Sequence, residues 1–550
     1  MVAAAGGRCR AAAGHLSTYR LRRRGWLIGP LALYSLLRIP SFLEPHWYTD
    51  EAGYATTARA LLQGKVLYSQ IWTNKPPLQI WTVAAVIRFL GTSEVALHAV
   101  TFLTGLLTLL AIAYAANRLL GRRRTVVALI LAAIMLGTPL LDAELILPES
   151  FLIAPMAWAG ALLLTRVAAP DTRRWPLWPV AVGALAAIGI AYQQTALADT
   201  CAFALILATA GRASWRRVAV YAGTLAGLTG AWLIPAVVTA GAGKVAYALV
   251  GFWVQFAQGQ GNLQIPMVIR AIVALVVLTL VVSGAWLHRR DRDISWALWV
   301  WAAVALLVPT VAGQPYPHYL LPSLVPTALA LSSLGLRLPA VAPSQRRLAG
   351  AGLIVATGLA LVGAAPTGLD WPPALAVGNH SFATYYFGAI STLTRGQSLS
   401  TYQDQFDYRV SEDSEVAVWI SAHGLEGSSA VVWSSEVWLY DLDDLQLVLP
   451  TPPIYNDEHL LGYDGPVAQR VADLEPALVI TDGESLTSWP EISPVLATGY
   501  EQVDESGSEI VWLRDDLVAS VMGLTGLGCP PGRTAPRGHR PQPARPAPGG

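Results

Sequence analysis

Long apolar runs separated by short arginine-bearing turns occupy the first two thirds of the chain. They lie near 26–43, 95–119, 125–141, 149–168, 176–195, 197–211, 217–239, 266–287, 294–312, 319–337 and 348–365. Helices of this length cross a hydrocarbon core of roughly 30 Å, so the pattern predicts about eleven transmembrane helices. The turns hold Arg20 to Arg24, Arg122 to Arg124, Arg173 and Arg174, Arg212 to Arg217, Arg289 to Arg292, and Arg346 with Arg347. Cytoplasmic loops carry an excess of Lys and Arg, so each turn is assigned to the cytoplasm, with the amino terminus inside and the carboxyl terminus outside. The segment from Arg8 to Arg24 and the run after it could pass for a signal peptide. That run holds Arg38 and Pro40 and lacks a small-residue cleavage site, so it is read as a retained first helix.

The alternation breaks at 76–91, which is apolar but only about 15 residues long, nearer an interfacial helix than a span. If it crossed, Arg122 to Arg124 would fall outside and every later loop would invert. It is therefore laid along the outer surface, which makes 44–94 one external loop with two helices. Thr49 or Asp50 is the expected N-cap of the first and Gly64 its stop; Pro76 or Pro77 starts the second.

Beyond residue 366 the pattern becomes polar with short alternating stretches, "SEVAVWI", "SAVVWSS", "LQLVLP", "ALVITD" and "EIVWLRD". These read as strands with intervening helices, a small external mixed α/β domain over 367–515. Residues 516–550, rich in Pro, Gly and Arg, are expected to be disordered. Residues 1–25 form a basic cytoplasmic terminus and 26–366 the membrane domain.

Composition strengthens the membrane assignment: 54% of the 550 residues are hydrophobic and 13% charged, against about 25% charged in ordinary globular chains. A net charge of +1 offers no basic surface for nucleic acid. Cys9, Cys201 and Cys529 are too scattered for a disulfide framework or a metal knuckle. No P-loop or strand-linked G-x-G-x-x-G supports nucleotide binding. The chemistry is sought outside, where Lys65, Lys75 and Lys244, the only lysines, fall together with Asp50, Glu51, Asp142, Glu144 and Glu149. Ionisable groups near membrane depth are costly and mark function.

In order along the chain, "DEAGY", "ARALLQG", "NKPPLQIW", "SEVALHAVTFLTGLLTLL" and a basic turn resemble the polyprenyl-phosphate-dependent glycosyltransferases of the GT-C class, in particular the family-39-like enzymes akin to protein O-mannosyltransferases and lipid A aminoarabinose transferase. The likeness covers about residues 26–200, with "PYPHYLLPSLVP" as a further landmark. It implies a polytopic membrane enzyme that moves one sugar from a polyprenyl-phosphate donor to a hydroxyl on a glycan, lipid or protein, with inversion, at the outer face of the cytoplasmic membrane. Asp50 then serves the acceptor side as base, Glu51 supports it in the same turn, and Glu149 closes the site. Glu144 is the competing acid of the second loop. Lys75 is assigned to the donor phosphate, with Arg59 and His318 as further phosphate candidates; Arg59, nine residues from Asp50, points to the opposite helix face. Asn74, Tyr54 and Tyr319 complete the substrate-binding set. Asp50 and Glu149 also suit a hard divalent cation, which leaves a metal open there. Gln193, Gln194 and Asn74 depart from the family pattern and leave the sugar's identity open. A lipid-linked sugar flippase and a non-catalytic scaffold are the rival classes; a flippase calls for ionisable residues near the bilayer midplane.

Overall fold

The computed structural model describes residues 25–168, 177–209, 214–259, 294–312, 316–333, 376–377, 380–407, 409–434, 437–451, 467–488 and 490–523. The spans expected at 266–287 and 348–365, and the stretch from 524 onward, lie outside the described residues. The helices of the amino-terminal part are α1 (Ile28–Leu37), α2 (Thr49–Leu62), α3 (Pro77–Leu90), α4 (Glu94–Leu119), α5 (Arg122–Gly137), α6 (Pro148–Ala168), α7 (Trp178–Tyr192), α8 (Ala196–Thr209), α9 (Ser214–Ala240), α10 (Ala242–Ala246), α11 (Phe252–Gly259), α12 (Ser295–Ala312) and α13 (Leu321–Ser333). Among the described residues, Gly25–Leu43, α4, α6 and α9 are long and apolar enough to cross a membrane. α7, α8 and Trp296–Leu307 are apolar but shorter.

α6 is the hub, packed against α4, α7, α8 and α13. Without a hydrophobic drive between helices in lipid, close approach depends on small residues. A methyl on Gly160 would collide with the Trp301 ring, one on Gly105 with Tyr34 and one on Gly189 with Met156.

The two helices of the 44–94 segment form as the sequence indicates. α3 starts at Pro77, whose missing N–H is harmless in a first turn, and at 14 residues it is about 21 Å long, too short for a full span. Gly64, at φ +93°, follows α2 in a conformation that stops the helix. The cap is a correction: Tyr48 holds that position without a side-chain bond, and Thr49 and Asp50 lie in the first turn. Glu51 to Ala58 are buried without interruption. The small residues of "EAGYATTA" allow this, because α2 is enclosed between α3 and the carboxyl-terminal domain.

That domain holds a five-stranded sheet in the order β4-β3-β5-β7-β6, with β3 at Ser429–Trp433, β4 at Gln446–Leu447, β5 at Leu478–Asp482, β6 at Tyr500–Ser506 and β7 at Glu509–Arg514. β3 runs parallel to β4 and β5, while β7 is antiparallel to β5 and β6. A short hairpin, β1 (Ala376–Val377) with β2 (His380–Ser381), precedes it. "SEVAVWI" is not a strand but part of the helix Arg409–Ala422. Its buried residues Asp413, Val416 and Ile420 recur at helical spacing, and Val418 is exposed. The strand Tyr500–Ser506 has no apolar alternation and was not anticipated. Asp515–Met522, within the stretch expected to be disordered for all but its first residue, is a helix.

The sheet is docked onto α2. Trp72 N–H donates to the Pro450 carbonyl at 2.7 Å, and the Thr56 hydroxyl to that of Val437 at 3.3 Å. The His46 and Trp438 rings lie 4.3 Å apart. One hydrophobic cluster runs from α2 and α3 into the sheet.

Candidate active site

A pocket of about 340 Å³ opens where the first loop, the second loop, α11, the start of α13 and the carboxyl-terminal domain meet. Asp50, Tyr54, Asn74, Lys75, Glu149, His318 and Tyr319 all line it. Four chain segments separated by up to 269 positions thus bring seven of the ten candidate residues to one place.

Lys75 is buried, and its ammonium lies over the Trp253 ring, 4.6 Å from the centroid. Burial lowers its pKa, and the charges of Glu149 and Asp50 oppose that shift. The backbone that carries it is held firmly. The Tyr68 hydroxyl donates to the Lys75 carbonyl at 2.7 Å. Gln194 and the Trp253 indole donate to the Asn74 carbonyl at 2.8 and 3.2 Å. Gln193 donates to Glu149 Oε1 at 2.8 Å. Gln193 and Gln194 therefore position Glu149 and Asn74–Lys75.

Glu149 stands in the first turn of α6, where the N–H groups favour a negative charge. His318 Nδ1 lies 3.1 Å from Asp142 Oδ2, and the Asp142 backbone is in the left-handed conformation at φ 52°. Burial works against a charge on His318, but the Asp142 hydrogen bond and the carboxylates of Glu149 and Asp50 outweigh it and raise the imidazole pKa. Lys75 and His318 are basic side chains of a kind suited to a phosphate, and the rings of Phe252 and Trp253 line the same pocket.

Three candidates lie elsewhere. Arg59 engages the carboxyl-terminal domain, with its guanidinium on Asp441, the Asp441 carbonyl and Asp444. Glu144 is buried beside Arg38, whose NH1 is 3.9 Å from Glu144 Oε2. Burial pushes the Glu144 carboxyl up, Glu44 adds to the shift and Arg38 opposes it. Glu51 is wholly buried and accepts the Ile146 N–H at 2.6 Å.

Asp407 and Arg409 also line the pocket, paired with each other at 2.7 Å. They come from the carboxyl-terminal domain, and no local motif marks them. The Asp50–Glu149 pair stands at the pocket wall. The one His/Cys/Asp/Glu group compact enough for a metal among the described residues is a different one, Glu51 with Glu94 and His98.

Residues 74–238, from the Lys75 segment through α9, match the family of dolichyl-phosphate-mannose-protein mannosyltransferases. The chain as a whole resembles the GT-C glycosyltransferases in fold. Its structure is similar to two crystal structures of ArnT from Cupriavidus metallidurans, one bound to undecaprenyl phosphate and one apo. Each shares 16% identity, covers 89% of this chain and 98% of that one, and has a TM-score of 0.55. The Archaeoglobus fulgidus oligosaccharyltransferase in complex with Zn and sulfate also matches, at 12% identity over 89% of this chain and 73% of that one, with a TM-score of 0.40. Curated proteins give no significant match to the sequence.

Proposed function

We propose that the protein is a membrane glycosyltransferase that moves one sugar from a polyprenyl-phosphate donor to an acceptor hydroxyl at the outer face of the cytoplasmic membrane. One observation carries the reading: Asp50, Lys75, Glu149 and His318, from separate segments, line a single pocket with aromatic walls. The match of 74–238 to a lipid-phosphate mannosyltransferase family and the likeness to a fold solved with undecaprenyl phosphate support it.

The acceptor oxygen attacks the anomeric carbon as the bond from that carbon to the phosphate oxygen breaks. The hydroxyl proton passes to the Asp50 carboxylate. The phosphate leaves on its lipid, and its growing charge is met by the Lys75 ammonium and the His318 imidazolium. A single displacement inverts the anomeric centre. Glu149, fixed by Gln193, opposes the effect of burial on the Lys75 charge. The carboxyl-terminal domain, which brings Asp407 and Arg409 to the pocket, takes part in acceptor selection in this proposal. Purified protein given labelled polyprenyl-phosphate sugars should transfer one of them. Asp50→Asn should lower transfer by at least about 10²-fold with donor binding intact, whereas normal transfer by that variant would remove the base assignment.

A further inference from the structure

Behind Asp50 lies a second, closed site. Glu51, Glu94 and His98 each place a ligand atom within 4.8 Å of the others, and all three are buried. Glu94 and His98 are four residues apart at the start of α4 and so share a face. Glu51 reaches them from the first turn of α2. Glu51 Oε2, both oxygens of Glu94 and His98 Nε2 have no hydrogen-bond partner among the described residues.

The histidine's tautomer follows from its other nitrogen. Nδ1 is 2.5 Å from the Ser41 carbonyl, which only accepts, so Nδ1 carries the proton. In a neutral imidazole the Nε2 lone pair then faces two carboxylates, 3.5 Å from Glu51 Oε1 and 3.3 Å from Glu94 Oε2. Electron-rich atoms gathered out of water require a proton or a cation between them. The proton would sit on the ring or on a carboxyl, and the spacings bear on the choice between a proton and a cation. Charge-assisted N–H···O bonds close to about 2.7–2.9 Å. Ligands about 2.0–2.1 Å from a tetrahedral zinc stand roughly 3.3–3.4 Å apart. The two spacings from Nε2, 3.3 and 3.5 Å, lie nearer the second.

We propose that Glu51, Glu94 and His98 bind a divalent transition metal of the zinc class. An imidazole among carboxylates suits zinc, whereas calcium and magnesium take oxygen ligands. The Nδ1–carbonyl contact is the outer bond that orients metal-binding histidines. His46 Nε2, 3.8 Å from Glu94 Oε1, is engaged by the Thr92 carbonyl at 2.9 Å. The metal would tie α2 and, through the Ile146 N–H on Glu51, the second loop to α4. It positions Asp50 from behind and takes no part at the reacting atoms. It is separate from any cation at Asp50 and Glu149.

The test uses the full-length protein, purified in detergent through a tag without histidines and never exposed to chelator. Mass spectrometry of the elements should find about one zinc per chain, and His98→Gln and Glu94→Gln should each hold under about a tenth of that. Asp50→Asn should keep its zinc while losing transfer, so that the metal site and the catalytic reading fail separately. Wild type with under about a tenth of an equivalent, even when zinc is supplied during growth and extraction, would overturn the site. So would full retention by His98→Gln. If either variant does not emerge as a monodisperse protein, zinc-edge absorption of the wild type decides. One imidazole nitrogen with oxygen neighbours supports the site; a shell containing sulfur or several imidazoles overturns it.

Discussion

Replacing Arg59 with Met should loosen the carboxyl-terminal domain from α2. The guanidinium makes two contacts to Asp441 Oδ1, at 2.8 Å from Nε and 2.7 Å from NH2, and a third to the Asp441 carbonyl at 3.1 Å. Its bond to Asp444 reaches a side chain that is 68% exposed and contributes little. The Asp441 side chain is only 2% exposed, so removing Arg59 strands a carboxylate inside the interface. Breaking one side of a buried pair costs about 3–5 kcal/mol, and the partial exposure of Arg59 places this case near the lower end. A loss of about 3 kcal/mol shifts the docking equilibrium by roughly two orders of magnitude. The Trp72 amide reads that equilibrium, because it donates across the interface to Pro450. Its hydrogen exchange should accelerate by about 10²-fold, while the Tyr68 amide, bonded within its own loop to Ile71, should hold. Burial already raises the Asp441 pKa, Arg59 opposing, and without Arg59 it rises further. The folded form then binds a proton more readily than the unfolded one, so the variant should regain docking as pH falls and lose it as pH rises through the shifted value. Arg59→Met combined with Asp441→Leu removes the stranded charge and should restore most of the protection. Exchange at Trp72 within about threefold of wild type in Arg59→Met, or a double variant as loose as the single one, would refute the argument.

Lys75→Ala should weaken donor binding as well as turnover, since the phosphate is present in ground and transition states; unchanged donor affinity in an equilibrium binding assay would reduce the lysine to a packing residue. The raised pKa of His318 extends its charged form to higher pH than in a free imidazole. The donor phosphodiester does not titrate there, so donor affinity should be full at low pH and fall as pH rises through that raised value, and His318→Gln should flatten the profile. Cysteine introduced at Gly91 should react with a membrane-impermeant reagent applied outside, and at Gly121 it should not; labelling of Gly121 would place α3 across the membrane and reverse the orientation.

The elements around Asp50 and Lys75 were legible because they are set by local chemistry. Pro77 suits a first helical turn whatever surrounds it, and Gly64 can take the positive φ that ends α2. The strands at Ser429–Trp433, Leu478–Asp482 and Glu509–Arg514 were legible from β-branched and aromatic runs, and the first two are buried almost throughout. "SEVAVWI" misled because seven residues of alternation fit a strand and one side of a helix alike; the buried partners of Val416 and Ile420 decide between them. Asp407 and Arg409 were illegible for a different reason. They stand more than 350 positions from Asp50, and only docking of the domain on α2 brings them to the pocket. The Gln193 bond to Glu149 likewise needs the end of α7 beside the start of α6.

The paired acids at the head of α2 illustrate how one local sequence serves two distant structures. Successive residues on a helix point about 100° apart, so Asp50 and Glu51 cannot face the same way. Asp50 stands at the pocket, half-buried, while Glu51 is enclosed with Glu94, His98 and the Ile146 N–H. The polar network behind the pocket joins α2, the second loop and α4, and through the Nδ1 of His98 it also takes in the Ser41 carbonyl. A base that must meet an acceptor proton within hydrogen-bond reach gains from a neighbour anchored in this way. The Asp50 carboxylate would otherwise follow every movement of a helix whose far end is held by the Arg59 contacts to another domain. On this reading Glu51→Gln should reduce turnover more than donor affinity while leaving the Arg59–Asp441 contact in place.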